Sequence, residues 1–361
     1  MLNKYGRIVG WGKYLPKRVL TNHDLAQTLE TSHDWIVKRT GIHTRRLAAP
    51  EETTSSMATK AAQHALATAQ LDPIDLDLII LTTNTPDYLV APSPASQVQH
   101  ALGATNIPAF TLSAGCTGFI YALSVAQQFI STGMHQNILV IGAELISRYI
   151  DWEDRKTAVL FGDGAGAIIL QATTEPCGPQ HFVLGSDGSG ADLIKVPAGG
   201  SAQPFLLDSP AKQSPFVTMN GHEVFKFATR KFKESCHDVL AIANMCAADI
   251  DWVIPHQANL RIIRAGARAL GISLPRCLIN LDKYGNTSTA SIPIALCEGI
   301  EDGQIQPNDN LLLVAFGAGL TWGACSLQLS PVLQINRLDD VNTISNNGHR
   351  QYDHELFTAV S

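Results

Sequence analysis

Two stretches of the chain show the same order of apolar and polar positions, and each predicts a strand, a helix and a second strand. Residues 76–83 and 251–256 are short, largely apolar runs, which are typical of strands buried on both faces of a sheet. Downstream of each, a Gly-X-Thr step opens a predicted helix, and a further apolar run follows at residues 137–142 or 310–316. This order predicts crossover units on a mainly parallel sheet.

The spacing inside the two stretches agrees as well. Gly133 follows Cys116 by 17 residues, and Gly303 follows Asn286 by 17 residues. Each predicted helix therefore begins and ends at the same place in its own half, which predicts an internal duplication. Cys116 and Asn286 would then lie at equivalent helix starts, close to where the two halves meet.

The predicted fold class is α/β, with two pseudo-symmetric αβ halves at residues 1–175 and 176–330. Their helices are expected to lie between and around two sheets. The length of 361 residues and the hydrophobic content of 45% suffice for a core of that size. Residues 331–361 form a polar C-terminal extension, and their sequence leaves open whether they pack on the surface.

Composition excludes several classes of function. The formal net charge of −6 provides no overall basic field for nucleic acid. The chain contains no apolar run of about 18 residues and no signal-peptide core at its start, so no membrane span is expected. Its seven cysteines lack CxxC spacing, which argues against a zinc site and for a reducing compartment such as the cytoplasm.

Cys116 is the candidate nucleophile. It lies among small residues in the run AGCTGF, directly before an amphipathic segment at residues 119–130. The positive end of a helix dipole is expected to lower the pKa of a thiol there and to favour the thiolate. A single cysteine of this kind could also be structural. Two candidate partners favour covalent catalysis. His256 follows the strand of the second half, and Asn286 lies at the equivalent helix start.

These three residues and their motifs resemble the Cys-His-Asn triad of the β-ketoacyl-[acyl-carrier-protein] synthase III family. The motifs are AGCTGF, FGDGAGA, PHQAN, GNTS and FGAGLTWG, and the resemblance extends over about residues 6–329. It implies the thiolase fold with a layered α/β/α/β/α core, and a homodimer that pairs through the sheet of the first half. It also implies that no cofactor is permanently bound and that no metal is needed.

The resemblance implies a two-step reaction. Cys116 attacks an acyl-CoA while the backbone N–H groups of Cys116 and Ala318 hold the oxyanion. Malonyl-ACP, a thioester of acyl carrier protein (ACP), then loses CO2. Neutral His256 and the Asn286 amide donate hydrogen bonds to the resulting enolate. The products would be 3-ketoacyl-ACP, CO2 and CoA, which corresponds to the initiation of fatty acid synthesis.

Binding residues are also implied by the resemblance. Trp35 and Arg155 match positions that sandwich the CoA adenine, by stacking and by a planar cation. Arg39 matches a contact to the CoA phosphates, Asn259 a contact to the pantetheine, and Phe225 a residue of the entrance tunnel.

Two basic helix faces suggest a docking surface for ACP, an acidic partner. The implied docking residues are Lys226, Arg261 and Arg264. They belong to two stripes with helical spacing: Lys226, Arg230 and Lys233, and Arg261, Arg264 and Arg268. From charge alone, both stripes could equally be solvated helix faces.

Other activities stay open. Ala91 stands where many relatives place a bulky aromatic residue, which predicts a roomier acyl pocket. The alternative function is therefore a condensing enzyme or acyltransferase of a natural-product pathway that uses a larger acyl group. A Cys-His pair by itself could also serve a hydrolase.

Overall fold

The two halves of the chain each form one main β-sheet, in a computed structural model that describes residues 4–205 and 214–331. All but the first residue of the predicted extension at 331–361 therefore lies outside the described residues. The strands are β1 (Tyr5–Tyr14), β2 (Arg18–Thr21), β3 (Thr44–Leu47), β4 (Leu78–Thr82), β5 (Ala109–Leu112), β6 (Asn137–Glu144), β7 (Gly164–Thr173), β8 (Gly178–Ser186), β9 (Ile194–Lys195), β10 (Thr218–Met219), β11 (Trp252–Pro255), β12 (Asn310–Gly317) and β13 (Thr321–Gln328).

The main sheets repeat one topology. The first has the order β1-β7-β6-β4-β5 and the second the order β11-β12-β13-β8. Strands β8, β13, β12 and β11 thus repeat β1, β7, β6 and β4, with the same pairing directions. A parallel bridge between Val253 and Cys277 stands where β5 pairs with β4 in the first half. The predicted pseudo-symmetry is confirmed, while a domain boundary near residue 175 stays a prediction.

The sheets are mixed rather than mainly parallel, so that expectation is wrong. Strand β12 returns as β13 through three residues, 318–320, and the two strands pair antiparallel. So short a connection cannot hold the crossover that a parallel pair requires. Strands β6 and β7 also pair antiparallel.

Helices complete five layers. Helices α5 and α10 share one buried cluster with residues of both sheets, and they lie between the sheets. Helices α3 and α4 cover the outer face of the first sheet, and α7 and α8 cover that of the second. The predicted α/β/α/β/α layering is thus confirmed. The helices are α1 (Asn22–Leu25), α2 (His33–Thr40), α3 (Thr54–Ala69), α4 (Pro94–Leu102), α5 (Gly118–Ser131), α6 (Arg155–Ala158), α7 (Gly221–Ile242), α8 (Leu260–Leu270), α9 (Leu281–Tyr284) and α10 (Ser291–Glu301).

The starts of α5 and α10 differ from the prediction. Helix α5 begins at Gly118 after its N-cap Thr117, so Cys116 lies just outside the helix. A side chain at position 118 would collide with Thr82, because a Cβ atom there would stand 1.9 Å from Oγ1. Helix α10 begins five residues after Asn286, since a 3₁₀ turn at Ser288–Ala290 comes first. Within residues 4–205 and 214–331, no helix has the length and apolar character needed to cross a bilayer.

Candidate active site

One cavity of about 710 Å³, measured with its open mouth, is lined by Cys116, His256 and Asn286. Cys116 precedes α5, His256 directly follows β11, and Asn286 lies between α9 and the 3₁₀ turn. Most of the remaining wall is apolar and includes Phe225 and Phe316. The three residues come from distant parts of the chain, and the structure brings them together as the duplication predicts.

Cys116 is a neutral thiol in this structure. Burial raises the pKa of its thiol to about 11, although the Ser288 hydroxyl and the backbone N–H groups of Ala318 and Cys116 act in the opposite direction. The expected lowering of the thiol pKa is therefore wrong, because the loss of hydration outweighs the donors around the sulfur. The thiol must then lose its proton as it attacks, with these donors ready to receive the charge.

His256 is also neutral. Burial lowers the pKa of its imidazole to about 3. Its Nδ1 lies 2.8 Å from Ser291 Oγ, which accepts a hydrogen bond from the Gln257 backbone N–H at 3.3 Å. With the Ser291 hydroxyl as the donor to Nδ1, the remaining ring proton of the neutral imidazole lies on Nε2. The ring stands edge-on to Phe316, with centroids 5.5 Å apart.

Backbone contacts hold Asn286 at the junction of the two halves. Its N–H donates to Leu160 O at 2.9 Å, and its carbonyl accepts from the Gly162 N–H at 3.0 Å. Its side-chain Oδ1 accepts the Ser288 N–H at 2.8 Å. Since the oxygen is occupied, the NH2 group is the part of the side chain left to donate into the cavity.

Four polar residues next to these groups were missed by sequence reasoning. Ser288 belongs to the GNTS motif, which is the only signal that pointed at any of them. Ser291 contacts His256, whereas Asn84 and Glu144 form a buried network behind Ser288. No motif marks these three, because their partners lie 35 to 204 residues away in the chain.

Two family models match the chain. "3-Oxoacyl-[acyl-carrier-protein (ACP)] synthase III" matches residues 110–188, and the C-terminal model of the same name matches residues 240–329. The β-ketoacyl-[acyl-carrier-protein] synthase III of Caldanaerobacter subterraneus subsp. tengcongensis is 49% identical over 323 residues, which cover 90% of this chain and 97% of that protein. The chain belongs to the β-ketoacyl-[acyl-carrier-protein] synthase III family.

Solved structures agree with this membership. The family member from Aquifex aeolicus VF5 has a TM-score of 0.84 at 46% identity and covers 90% of this chain and 99% of its own. The priming β-ketosynthase of the R1128 polyketide pathway has a TM-score of 0.85 at 33% identity and covers 91% of this chain and 97% of its own. The fold is therefore the thiolase fold.

The residues that the family resemblance assigns to CoA adenine are already in contact. The Arg155 guanidinium lies 4.8 Å from the centre of the Trp35 ring, and that of Arg39 lies 5.8 Å from it. Arg155 also donates to Glu30 O at 2.6 Å. An aromatic base between two layers needs about 7 Å, twice the contact distance of carbon atoms. No base therefore fits between the Trp35 ring and the Arg155 guanidinium in this arrangement.

Phe225 and Asn259 line the cavity, whereas Arg39 lies outside it. The Asn259 side chain has structural partners: its Oδ1 caps α8 by accepting the Arg261 N–H at 2.9 Å, and its Nδ2 donates to Arg39 O at 3.1 Å. Ala91 is exposed and is absent from the lining of this cavity. Within a single described chain, Ala91 therefore does not limit this cavity.

One of the three predicted docking residues, Arg261, contacts a side chain that lines the cavity. Arg261 and Arg264 are exposed on α8, and the guanidinium of Arg261 lies 5.1 Å from the centre of the Phe225 ring. Lys226 pairs with Glu223 on α7 at 2.9 Å, so part of its charge is compensated within the chain. Arg261 therefore places positive charge beside the cavity-lining Phe225.

Proposed function

We propose that the chain is a β-ketoacyl-ACP synthase III, an acyltransferase that forms a carbon–carbon bond by decarboxylative Claisen condensation. An acyl-CoA acylates Cys116, and malonyl-ACP then receives the acyl group, which yields 3-ketoacyl-ACP, CO2 and CoA. The observation that carries the proposal is the single cavity lined by Cys116, His256 and Asn286. The names of the curated relatives favour the initiation of fatty acid synthesis over a natural-product pathway.

In the first step, the Cys116 sulfur bonds to the acyl carbon and the carbon–sulfur bond to CoA breaks. The thiol proton ends on the CoA sulfur, so the step is balanced without an added base. The backbone N–H groups of Cys116 and Ala318 are the proposed oxyanion hole, because both lie beside the sulfur to which the acyl carbon bonds. The three donors around Cys116 lower the thiol pKa only in part, and they stabilise the negative charge that develops on the sulfur as the proton leaves.

In the second step, the malonyl group loses CO2 and leaves an enolate. Hydrogen-bond donors that stay protonated can stabilise this oxygen without quenching the carbanion. Neutral His256, with its proton on Nε2, and the NH2 group of Asn286 fit that role. The carbanion attacks the acyl carbon, and the Cys116 thiolate leaves and then takes up one proton.

The proposed substrate-binding roles follow from where the side chains lie and from the family positions that they match. Trp35, Arg39 and Arg155 are proposed to bind the CoA nucleotide after Arg155 has moved, and Asn259 and Phe225 to line the path of the pantetheine. Lys226, Arg261 and Arg264 are proposed to dock ACP, which presents acidic side chains to an exposed basic face. Neither substrate is permanently bound, and the reaction as written needs no cofactor.

A homodimer in the cytoplasm completes the proposal. Strand β5 is an edge of the first sheet, and the nearby loop exposes Leu89 by 64% and Val90 by 94%. An open edge beside exposed apolar side chains favours pairing with a second copy. All seven cysteines are free, which fits a reducing compartment.

Intact-protein mass spectrometry tests the proposed function. The chain is incubated with a panel of acyl-CoAs and then with malonyl-ACP, and Cys116→Ala serves as the control. We expect an acyl adduct on the wild type, its transfer to give 3-ketoacyl-ACP, and no adduct on the variant. An adduct that malonyl-ACP cannot discharge would contradict condensation, and a preference for long or aromatic groups would favour specialised metabolism.

A further inference from the structure

The short segment at residues 288–291 provides one hydroxyl group to each of two reacting centres. Ser288 Oγ donates to Cys116 Sγ at 3.3 Å, and Ser291 Oγ lies 2.8 Å from His256 Nδ1. Both serines are almost fully buried, with exposed fractions of 3% and 1%. Buried polar groups in folded proteins are as a rule hydrogen-bonded. Here the partners of both hydroxyl groups are the sulfur and the imidazole of the cavity.

The network behind Ser288 determines which way its proton points. The Asn84 NH2 group donates to Ser288 Oγ at 3.4 Å and to Glu144 Oε1 at 2.7 Å. Because Ser288 Oγ accepts from Asn84, its own proton is left for the sulfur of Cys116. The direction of the Asn84 amide is set in turn by the carboxylate, which cannot donate when ionised.

Three hydrogen bonds hold the buried Glu144 carboxylate. The carboxylate accepts from the Asn84 backbone N–H at 2.8 Å and from the Thr85 hydroxyl at 2.9 Å, in addition to the Asn84 side chain. The residue is fully buried. The chain of hydrogen bonds from Glu144 through Asn84 and Ser288 thus ends on Cys116.

Ser291 has the matching arrangement on the other centre. The Gln257 backbone N–H donates to its oxygen at 3.3 Å, and its own proton is available to His256 Nδ1, which lies 2.8 Å away. This contact keeps the other ring proton on Nε2, where the proposed reaction needs a donor. Ser291 therefore acts on the enolate only through the tautomer of His256.

We infer that the two serines serve different steps of the proposed reaction: Ser288 is a catalytic residue for acylation, and Ser291 is a positioning residue for decarboxylation. During acylation, Ser288 donates to the sulfur while the thiol proton leaves and the bond to the acyl carbon forms. During decarboxylation, Ser291 keeps Nε2 of His256 as a donor to the enolate oxygen. The inference rests on the proposed function for the nature of the two steps.

Two variants separate the roles. Ser288 has φ of 51°, so Ser288→Gly removes the hydroxyl group without strain, whereas alanine would be strained there. Ser291→Ala removes the other hydroxyl, and Ser291→Thr retains it. Each variant is assayed for the rate of acylation by the acyl-CoA that the wild type uses best. Each acyl-enzyme, freed of acyl-CoA, is then assayed for CO2 release from malonyl-ACP.

We expect the ratio of acylation to CO2 release to fall about tenfold in Ser288→Gly and to rise about tenfold in Ser291→Ala, as expected for one hydrogen bond to a developing charge. Ser291→Thr should restore CO2 release. CO2 release is chosen because it precedes departure of the Cys116 thiolate, a later step in which Ser288 would also assist. Equal loss of both rates in either variant would overturn the inference.

A matched control exists in the second sheet, among residues that do not line the cavity. Ser326 is buried, and its Oγ lies 3.0 Å from Nδ1 of His181, away from the cavity. Ser326→Ala therefore removes the same kind of contact and should change both rates less than about twofold. Asn84→Ala is a second variant that tests the role of Ser288. We expect it to lower the rate of acylation less than Ser288→Gly does.

Two measurements do not depend on turnover. Alkylation of Cys116 by iodoacetamide, followed against pH, should slow about tenfold at neutral pH in Ser288→Gly. Nitrogen NMR of His256 should show the Nε2–H tautomer in the wild type and a mixture in Ser291→Ala. If the wild type fails to discharge onto malonyl-ACP, the proposed function fails, whereas unchanged alkylation and an unchanged tautomer would overturn the inference itself.

Discussion

The turns that lead into α5 and α10 occupy equivalent places in the two halves, yet they present different chemistry. Both pass through a glycine with positive φ, Gly115 at 60° and Gly285 at 69°. After Gly115 the chain reaches α5 within three residues, whereas after Gly285 it first makes a 3₁₀ turn and reaches α10 only at Ser291. Helix α10 is correspondingly shorter, with 11 residues against 14 in α5.

The difference shows how a duplicated unit acquires two functions. In the first half, the short turn presents one thiol at the start of a helix. In the second half, one helical turn is replaced by a 3₁₀ turn, and Asn286, Ser288 and Ser291 point to the cavity, the sulfur and the imidazole respectively. The overall spacing is kept, so the helices still pack between the same sheets.

The largest expected effect is that of His256→Ala, which should separate decarboxylation from the acylation of Cys116. His256→Ala removes a neutral donor to the enolate, and we expect CO2 release to fall by about 10² to 10³, as for other lost oxyanion donors. Acylation of Cys116 should fall much less, because a histidine with its proton on Nε2 is not the acceptor of the thiol proton. Rapid-quench mass spectrometry and CO2 release measure the two steps. Loss of both steps to the same degree would make His256 a general base for Cys116.

The equivalent strands β6 and β12 also end in different residues. Strand β6 ends in Glu144, whereas β12 ends in Gly317, where a Cβ atom would stand 2.6 Å from the backbone nitrogen of Cys116. Burial raises the pKa of Glu144 from 4.5 to about 7, and its charge also raises the pKa of Cys116. Compared with the unfolded chain, the folded protein thus favours the protonated form of this carboxyl group more strongly.

A Glu144→Gln variant tests whether folding raises the pKa of the Glu144 carboxyl group. A raised carboxyl pKa contributes stability below the unfolded value, and that contribution is lost as the pH rises from about 4.5 to 7. The variant does not titrate, so its free energy of unfolding relative to the wild type should increase with pH by up to about 3 kcal/mol. Urea unfolding at pH 5 and pH 8 measures the difference, and Glu51→Gln, on an exposed residue, is the control. A difference that is independent of pH would contradict a raised pKa.

The sequence identified Cys116, His256 and Asn286 as neighbours because each lies inside a motif and the duplication explains why they meet. It failed where the outcome depends on packing. The sequence predicted the helix after Cys116, but it did not reveal the burial that dominates the pKa of the Cys116 thiol. The late start of α10 depends on Ser288 at positive φ, a conformation that serine rarely adopts. The contacts of Glu144 and Ser291 join residues far apart in the chain, which local patterns do not reveal.

The smallest expected effect concerns docking. Arg261 is exposed at the cavity mouth and stacks on Phe225, so Arg261→Glu should raise the KM for malonyl-ACP about fivefold, in keeping with the loss and reversal of one exposed charge. The KM for acyl-CoA should change less than twofold, since the proposed nucleotide contacts lie at Trp35, Arg39 and Arg155. Arg261→Gln separates charge from stacking, and Lys17→Glu on an exposed residue of the first half controls for net charge. An equal rise in both KM values would place Arg261 at the shared entrance rather than on an ACP surface.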